Sequence, residues 1–172
     1  IHVALCHYQF EAIHPFLDGN GRVGRLLIVL LLVERKLVPS PILYLSAFFE
    51  ATRDEYYQQL YNVSSKGTWN EWFLYFLNGV AIQGLDVLSR VERINRLIIA
   101  WQIKVSGGSD DIAQEVVKNL AVTPYCTIKK VAENLKVAFT TAQRAIVKLE
   151  NLGIIAQTTQ AKRDRVYCAQ EI

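Results

Sequence analysis

The chain has 172 residues, which is the size of one large or two small domains. The net charge is only +3, with 10 basic and 9 acidic residues up to Ser106 and 9 basic and 7 acidic residues after it, so neither half is a polycation. Hydrophobic residues make up 51% of the chain, but the longest apolar run, LLIVLLLV at 26–33, is far shorter than the roughly 20 residues that span a bilayer.

The cysteine content and the first residue bear on the cellular setting. Three cysteines, Cys6, Cys126 and Cys168, are too few and odd in number for a disulfide framework, which favours a reducing compartment. Because no secretory signal is visible either, we expect a cytoplasmic protein without a membrane partner. There is no methionine, and Ile1 lies inside an apolar-periodic segment, so the chain is expected to be a piece of a longer protein.

Helical periodicity predicts the elements of the first 105 residues. Apolar residues recur at helical spacing up to Ile13, and Pro15 ends that helix. The next helix, 23–36, is apolar almost all round and is therefore predicted to be buried. After a Pro-flanked connection, helices are predicted around 55–63 and 69–80, and an amphipathic pattern runs over 85–105. The aromatic residues of WNEWFLYFL fall at helical spacing and are expected to pack in the core.

The pattern changes after the stretch SGGSDD, which is predicted to be a linker at 106–111. Three helices follow, and then two β-prone runs separated by AKRD; the five segments are 112–120, 127–135, 139–153, 154–160 and 165–170. Three helices and a hairpin in this order are typical of a winged helix-turn-helix. We therefore predict a mainly α protein with a helical domain at 1–105 and a winged helix-turn-helix module with a small β-hairpin at 112–172.

The segment HPFLDGNGRVGR, residues 14–25, carries the polar chemistry of the first domain. Asp-Gly and Asn-Gly pairs are favoured in β-hairpin turns, but a hairpin needs alternating strands on both sides. Here a helical pattern leads in and a continuous apolar helix leads out. The segment is therefore predicted to be a glycine-bracketed loop that runs into a helix N-terminus.

Such a loop favours a bound anion, because the first N–H groups of a helix lack partners and the dipole end is positive. Gly19, Asn20 and Gly21 are predicted to form a nest of amides for a phosphate. Arg22 and Arg25, three residues apart on one helix face, would extend the positive charge along a polyphosphate. Asp18 beside an anion makes sense as a Mg²⁺ ligand, since Mg²⁺ binds one or two carboxylates plus phosphate oxygens.

His14 lies one short loop from the predicted phosphate, where an imidazole could take a proton from an attacking hydroxyl. Together these groups suit nucleotidyl transfer, which depends on positioning, metal neutralisation and fixed donors. His2 and His7 are predicted to be surface or core histidines rather than metal ligands, because they do not form a His-x-x-x-His pair with His14.

Residues 14–25 match the signature H-x-F-x-(D/E)-G-N-G-R-x-x-R without departure, and the chain resembles the Fic family from there to about residue 105. The resemblance implies a Fic-type helical core and an adenylyltransferase that moves AMP from ATP onto a Ser, Thr or Tyr hydroxyl of a protein. It implies that His14 is the general base, that Asp18 holds Mg²⁺, and that the 19–21 backbone and the two arginines hold the phosphates. Tyr56 either contacts the nucleoside or packs in the core.

Fic domains usually carry further helices and a β-hairpin flap before the helix seen at 1–13, and we expect neither within these 172 residues. Many members also have an inhibitory helix with (S/T)-x-x-x-E-(G/N). The nearest string, Ser46 to Ala51, fails at its last position and is expected to be a core segment. We therefore expect no autoinhibitory helix in this piece.

The second module leaves alternatives open. Its predicted recognition helix and wing carry polar and basic residues that could contact DNA phosphates or a partner protein, namely Thr140, Thr141, Gln143, Arg144, Lys148, Lys162, Arg163 and Arg165. A net charge of +2 is weak for DNA. The alternatives to AMP transfer are a DNA-binding regulator with a nucleotide-sensing Fic-like half, and a Fic enzyme that removes AMP or transfers another phosphate-containing group. The oligomeric state is open, with a homo-oligomer among the possibilities.

Overall fold

The computed structural model describes residues 1–106, 111–159 and 164–172, and the fold is mainly helical, as predicted. The elements in chain order are α1 (His2–Ile13), α2 (Asn20–Glu34), α3 (Leu45–Ala51), α4 (Arg53–Lys66), α5 (Trp69–Val105), α6 (Asp111–Leu120), β1 (Tyr125–Thr127), α7 (Ile128–Leu135), α8 (Phe139–Asn151), β2 (Ala156–Gln157) and β3 (Val166–Cys168). In the described part of the chain, none of the helices is both long and apolar enough to traverse a bilayer.

The chain divides into two compact units, Ile1–Ser89 and Arg90–Ile172. The division falls inside α5, whereas the sequence predicted a boundary at 106–111, of which residues 107–110 lie outside the described part. The reason is that Trp101 and Val105, near the end of α5, are buried in the core of the second unit. The segments predicted at 69–80 and 85–105 are one continuous helix.

The core of the first unit is aromatic. Trp72 is fully buried, and its indole N–H donates a 3.1 Å hydrogen bond to the carbonyl oxygen of Ala4 on α1. Tyr75 and Phe76 are buried on the same helix, so the prediction that the WNEWFLYFL aromatics pack in the core is confirmed for these residues. Gly79 allows the close approach of Phe48, because a Cβ atom there would lie 2.4 Å from the ring.

The prediction that α2 is a buried helix is confirmed for one face only. Gly24, Ile28 and Leu32, spaced by four residues, form its buried face, whereas Leu26 and Leu30 are 55% and 56% exposed. A helix that packs through one stripe buries only the side chains of that stripe, however apolar the others are. What α2 buries is thus set by its packing against α1 and the rest of the core.

The second unit has the predicted order of three helices followed by an antiparallel β2–β3 pair. The face of α8 that carries Ala142, Ala145, Ile146 and Leu149 is buried in its core. The strand β1 was not predicted. It pairs with β3 in the register Tyr125↔Cys168, which gives a sheet of order β1-β3-β2.

Candidate active site

The site begins where α1 ends. His14 is the C-terminal cap of α1 and adopts a left-handed conformation, with φ 50 and ψ 57, while its N–H donates to the carbonyl oxygen of Phe10. Pro15 accounts for the end of the helix, since a proline disfavours the helical conformation of the residue before it. The left-handed conformation is costly for a residue other than glycine. It turns the chain out of the helix and leaves His14 exposed.

Asn20 shapes the loop with its side chain, a role that the sequence analysis did not assign. The carboxamide is almost completely buried and bonds to both backbone groups of Phe16: the Phe16 N–H donates to Asn20 Oδ1 at 2.9 Å, and Asn20 Nδ2 donates to the Phe16 carbonyl at 2.6 Å. An asparagine carries both a donor and an acceptor, so it can close this ring. The side chain is therefore a brace, and only the backbone of Asn20 is available for a ligand.

Replacing Asn20 by alanine is expected to lower the free energy of unfolding by about 1–3 kcal/mol, because two part-buried hydrogen bonds to the Phe16 backbone are lost. Urea denaturation followed by tryptophan fluorescence measures this, since Trp69 and Trp72 lie in the first unit. The matched control is Asn62→Ala, because Asn62 makes an exposed hydrogen bond to Gln58 within α4. Equal losses in the two variants would contradict the bracing role.

The N-terminus of α2 presents free N–H groups. Gly19 is its cap, with φ 82, and no side chain caps this end. The first hydrogen bond of the helix ladder runs from the Val23 N–H to the Gly19 carbonyl at 3.0 Å. The N–H groups of Asn20, Gly21 and Arg22 precede that bond and have no acceptor within the helix. These three amides can therefore receive an anion.

Asp18 occupies one of the amides predicted for the nest. Its Oδ1 accepts a 2.6 Å hydrogen bond from the Gly19 N–H, and its Oδ2 lies 3.3 Å from Arg22 Nη2. The two side chains of this ion pair are 93% and 76% exposed, so solvent screens the pair and it is worth little. The carboxylate can exchange these partners for a ligand at low cost.

Both arginines extend over the glycine turn. A Cβ atom on Gly21 would lie 3.1 Å from Arg25 Nη1, and one on Gly19 would lie 3.4 Å from Arg22 Nη2. The tight approach is that of Arg25 to Gly21, whereas 3.4 Å is an ordinary contact at Gly19, and both guanidinium groups lie close to the turn that carries the free amides. A cavity of about 370 Å³ adjoins them, lined by Arg22, Arg25, Leu26, Val29, Tyr44, Ser46 and Glu50.

The string Ser46 to Ala51 forms most of α3 and is only partly a core segment. Phe48 and Phe49 are buried, but Ser46 and Glu50 line the cavity beside the arginines. The Glu50 carboxylate lies 4.0 Å from Arg53 Nη1, which is three residues along the chain.

The buried side chain of His7 links α1 to α2 and α4. Its Nδ1 lies 3.0 Å from the Gly24 carbonyl oxygen of α2, and its Nε2 lies 3.0 Å from the Tyr56 hydroxyl. A carbonyl only accepts, so Nδ1 carries the proton and Nε2 accepts from the hydroxyl. Burial lowers the pKa of His7 to about 4, which keeps the imidazole neutral. The prediction that His7 is a core or surface histidine is confirmed, since the ring is fully buried.

Tyr56 is a core residue, which is the packing alternative of the sequence analysis, and its contact with a nucleoside stays a prediction. Only 4% of it is exposed, its hydroxyl is used by His7, and its ring stacks on Phe49 with centroids 4.7 Å apart. The same burial raises the pKa of the Tyr56 hydroxyl. The next residue, Tyr57, is 54% exposed and has the Arg53 guanidinium 5.8 Å from its ring centroid.

The predicted contact residues of the second unit are only partly presented to solvent. Thr140, Gln143 and Arg144 are exposed on α8, and Thr141 is half-buried. Lys148 is also half-buried, and its ammonium donates to the Val105 carbonyl at 3.3 Å. Arg165 is exposed, whereas Lys162 and Arg163 lie outside the described residues. Contact with DNA or with a partner protein stays a prediction.

Comparison with known proteins bears on the first residues of the chain. A family model described as Fic/DOC family matches residues 1–32. A relative from Aquifex aeolicus, named a probable protein adenylyltransferase, is 62% identical over 32 residues, which are 19% of this chain and 10% of the relative. Protein adenylyltransferase fic-1 of Caenorhabditis elegans is 43% identical over 58 residues, which are 34% of this chain and 10% of the relative.

Protein adenylyltransferase Fic of Drosophila grimshawi is 54% identical over 33 residues, which are 19% of this chain and 7% of the relative. The matched part of the chain thus spans at most a tenth of the length of these relatives. The family match and these relatives confirm the resemblance that the motif indicated, and the match to the Fic/DOC family model covers residues 1–32.

Proposed function

We propose that the chain is part of a protein adenylyltransferase, which transfers AMP from ATP to a Ser, Thr or Tyr hydroxyl of a target protein. The observation that carries the proposal is the free start of α2: its first three amides have no partner within the helix, the guanidinium groups of Arg22 and Arg25 lie close to Gly19 and Gly21, and the exposed His14 precedes this turn by five residues. The relatives named protein adenylyltransferases support it, because they match the segment that contains these residues.

The phosphates of ATP would bind at the start of α2. The amides of Asn20, Gly21 and Arg22 donate to phosphate oxygens, and the helix dipole favours the negative charge. The guanidinium groups of Arg22 and Arg25 add forked donors for the outer phosphates. This set differs from the predicted 19–21 nest, because the Gly19 amide bonds to Asp18 as long as that carboxylate holds no other ligand.

Asp18 fits a Mg²⁺ ligand, since its carboxylate is exposed and lies beside the free amides. Among residues 1–106, 111–159 and 164–172, no three His, Cys, Asp or Glu side chains form a metal site. A single carboxylate suits Mg²⁺, which takes its remaining ligands from phosphate oxygens and water. Mg²⁺ held in this way supplies positive charge that neutralises the phosphates during transfer.

His14 would act as the general base. Its imidazole takes the proton of the target hydroxyl as that oxygen bonds to the α-phosphorus of ATP, and the bond from the α-phosphorus to the bridging oxygen breaks to release pyrophosphate. The left-handed cap places His14 outside the helix and in reach of solvent, where a target side chain can approach. The two arginines hold the departing phosphates in place.

ATP labelled at the α- or the γ-phosphorus tests the proposal. Incubation of the chain with Mg²⁺, cell lysate and each label is expected to attach the α label to protein and to release the γ label as pyrophosphate. Transfer of the γ label would instead show phosphoryl transfer, and loss of AMP from a pre-modified protein would show the reverse activity.

Two arginine variants serve as matched controls for the labelling experiment. Arg25→Ala should reduce the labelling because it removes a phosphate contact. Arg35→Ala, at the far end of α2, should not reduce it.

A further inference from the structure

The first half of α5 has an apolar side that faces away from the core of the first unit. Trp72 and Phe76 are buried on the core side of this helix. The opposite side carries a row of five exposed apolar residues, which we call the α5 row, namely Leu74, Leu77, Ala81, Leu85 and Leu88. At 3.6 residues per turn, all five point within about 40° of the direction of Ala81, which is opposite to that of Trp72.

The α5 row exposes a continuous apolar surface to water. Leu74 and Leu85 are 70% and 68% exposed, and the four leucines together expose more than the surface of two whole leucines. None of the residues 72–85 is charged, so no long charged side chain of this segment covers the leucines. Single exposed leucines are common on protein surfaces, whereas a continuous apolar patch marks an interaction surface.

The spacing of the α5 row is symmetric about Ala81. Counted from Leu74, the steps along the chain are 3, 4, 4 and 3 residues, so the row reads the same in both directions. A two-fold axis at Ala81 therefore places Leu74 of one copy against Leu88 of another, and Leu77 against Leu85. A two-fold dimer needs such a self-complementary surface, because every contact between two different positions occurs twice. Steps of three and four residues are also those with which packed helices interdigitate.

The centre of the α5 row allows two helices to approach closely. Ala81 has the smallest side chain of the five, and Gly84 lies about one turn further along the helix. Apart from the adjoining helix backbone, no atom lies within 4 Å of the place that a Cβ atom of Gly84 would take. A glycine inside a helix costs stability relative to alanine, and the open space beside this one favours packing by a second helix.

We propose that the α5 row binds the same row of a second copy of this chain, with the two helices antiparallel about a two-fold axis at Ala81. Together with Ile82 beside them, which is also exposed, the rows of two copies would bury on the order of 1,000 Å², which is near the lower limit for a specific interface. An interface of this size gives a weak, reversible dimer with a dissociation constant of about 1–10 µM. The dimer does not depend on AMP transfer by the first unit.

Sedimentation equilibrium of the whole chain between about 1 and 100 µM tests the dimer, and the wild type is expected to pass from monomer to dimer over this range. Ala81→Glu should weaken association about 100-fold, because the axis brings two carboxylates face to face. Circular dichroism should show an unchanged helix content, since position 81 is exposed and glutamate is a good helix former. Leu30→Glu, at an exposed leucine of α2, is the matched control and should dimerise like the wild type.

A mixture of two variants tests the symmetry. Ala81→Lys alone should also be monomeric, because two ammonium groups repel each other across the axis. An equal mixture of Ala81→Glu and Ala81→Lys should restore the dimer, since residue 81 of each copy then faces the opposite charge. A wild type that stays monomeric at about 100 µM, a dimer that survives Ala81→Glu, or a mixture that stays monomeric would each overturn the proposal.

Discussion

Replacing His14 by alanine is expected to lower the rate of AMP transfer about 10²- to 10⁴-fold, which is the range that a positioned general base contributes. The loop should survive the change, because the hydrogen bonds that shape it come from Asn20, Asp18 and the backbone rather than from the imidazole. The substitution also removes no buried side chain from the core, since His14 is exposed. The loss should therefore fall on kcat, while the affinity for ATP with Mg²⁺ stays close to that of the wild type.

The measurement is the initial rate with α-labelled ATP, together with the dissociation constant from calorimetry. His2→Ala is the control, because His2 is an exposed histidine on the same helix, with its ring 3.4 Å from Cys6 Sγ one turn along that helix. Equal rates in His14→Ala and the wild type would remove the general-base assignment. A parallel loss of affinity would instead place His14 among the phosphate contacts.

The local geometry of residues 14–25 could be predicted from sequence because its signals are local. Pro15 ends α1, Gly19 supplies the left-handed cap of α2, and the spacing of Arg22 and Arg25 puts both on one helix face. Each of these effects acts within a few residues of the chain. Helix existence was predictable for the same reason, since apolar periodicity over ten or more residues is a strong local pattern.

What could not be predicted depends on contacts between distant segments. Tyr56 is buried because His7 and Phe49 meet it from other helices. Strand β1 is only three residues long, and its structure comes from pairing with β3 about forty residues later. The contact of the Glu11 carboxylate with Gly24 could not be predicted, because it depends on how α1 packs against α2. The pattern of apolar and polar residues indicates the apolar face of a helix, but it does not show which apolar side chains other segments bury. Leu26 and Leu30, which are apolar but exposed, are examples.

Acid is expected to destabilise the first unit through His7. The pKa of His7 is about 4 in the folded state against 6.5 for an unperturbed imidazole, so between these values the unfolded chain binds a proton that the folded chain does not. The stabilising contribution is therefore complete above pH 6.5 and is lost as the pH falls toward 4. The difference amounts to about 3 kcal/mol, since one pKa unit corresponds to about 1.4 kcal/mol.

The variant His7→Asn isolates this contribution from that of the carboxylates. Asparagine can still donate to the Gly24 carbonyl but does not titrate. The variant should be less stable than the wild type at pH 7.5. Between pH 6.5 and 4, its free energy of unfolding should fall by about 3 kcal/mol less than that of the wild type. Urea denaturation across that range measures both slopes, and His2→Asn, at the exposed histidine, should keep the wild-type slope. If His7→Asn also keeps the wild-type slope, the imidazole is not held neutral. Acid that charges the ring adds its proton at Nε2, where the Tyr56 hydroxyl must change from donor to acceptor, while Nδ1 still donates to the Gly24 carbonyl of α2.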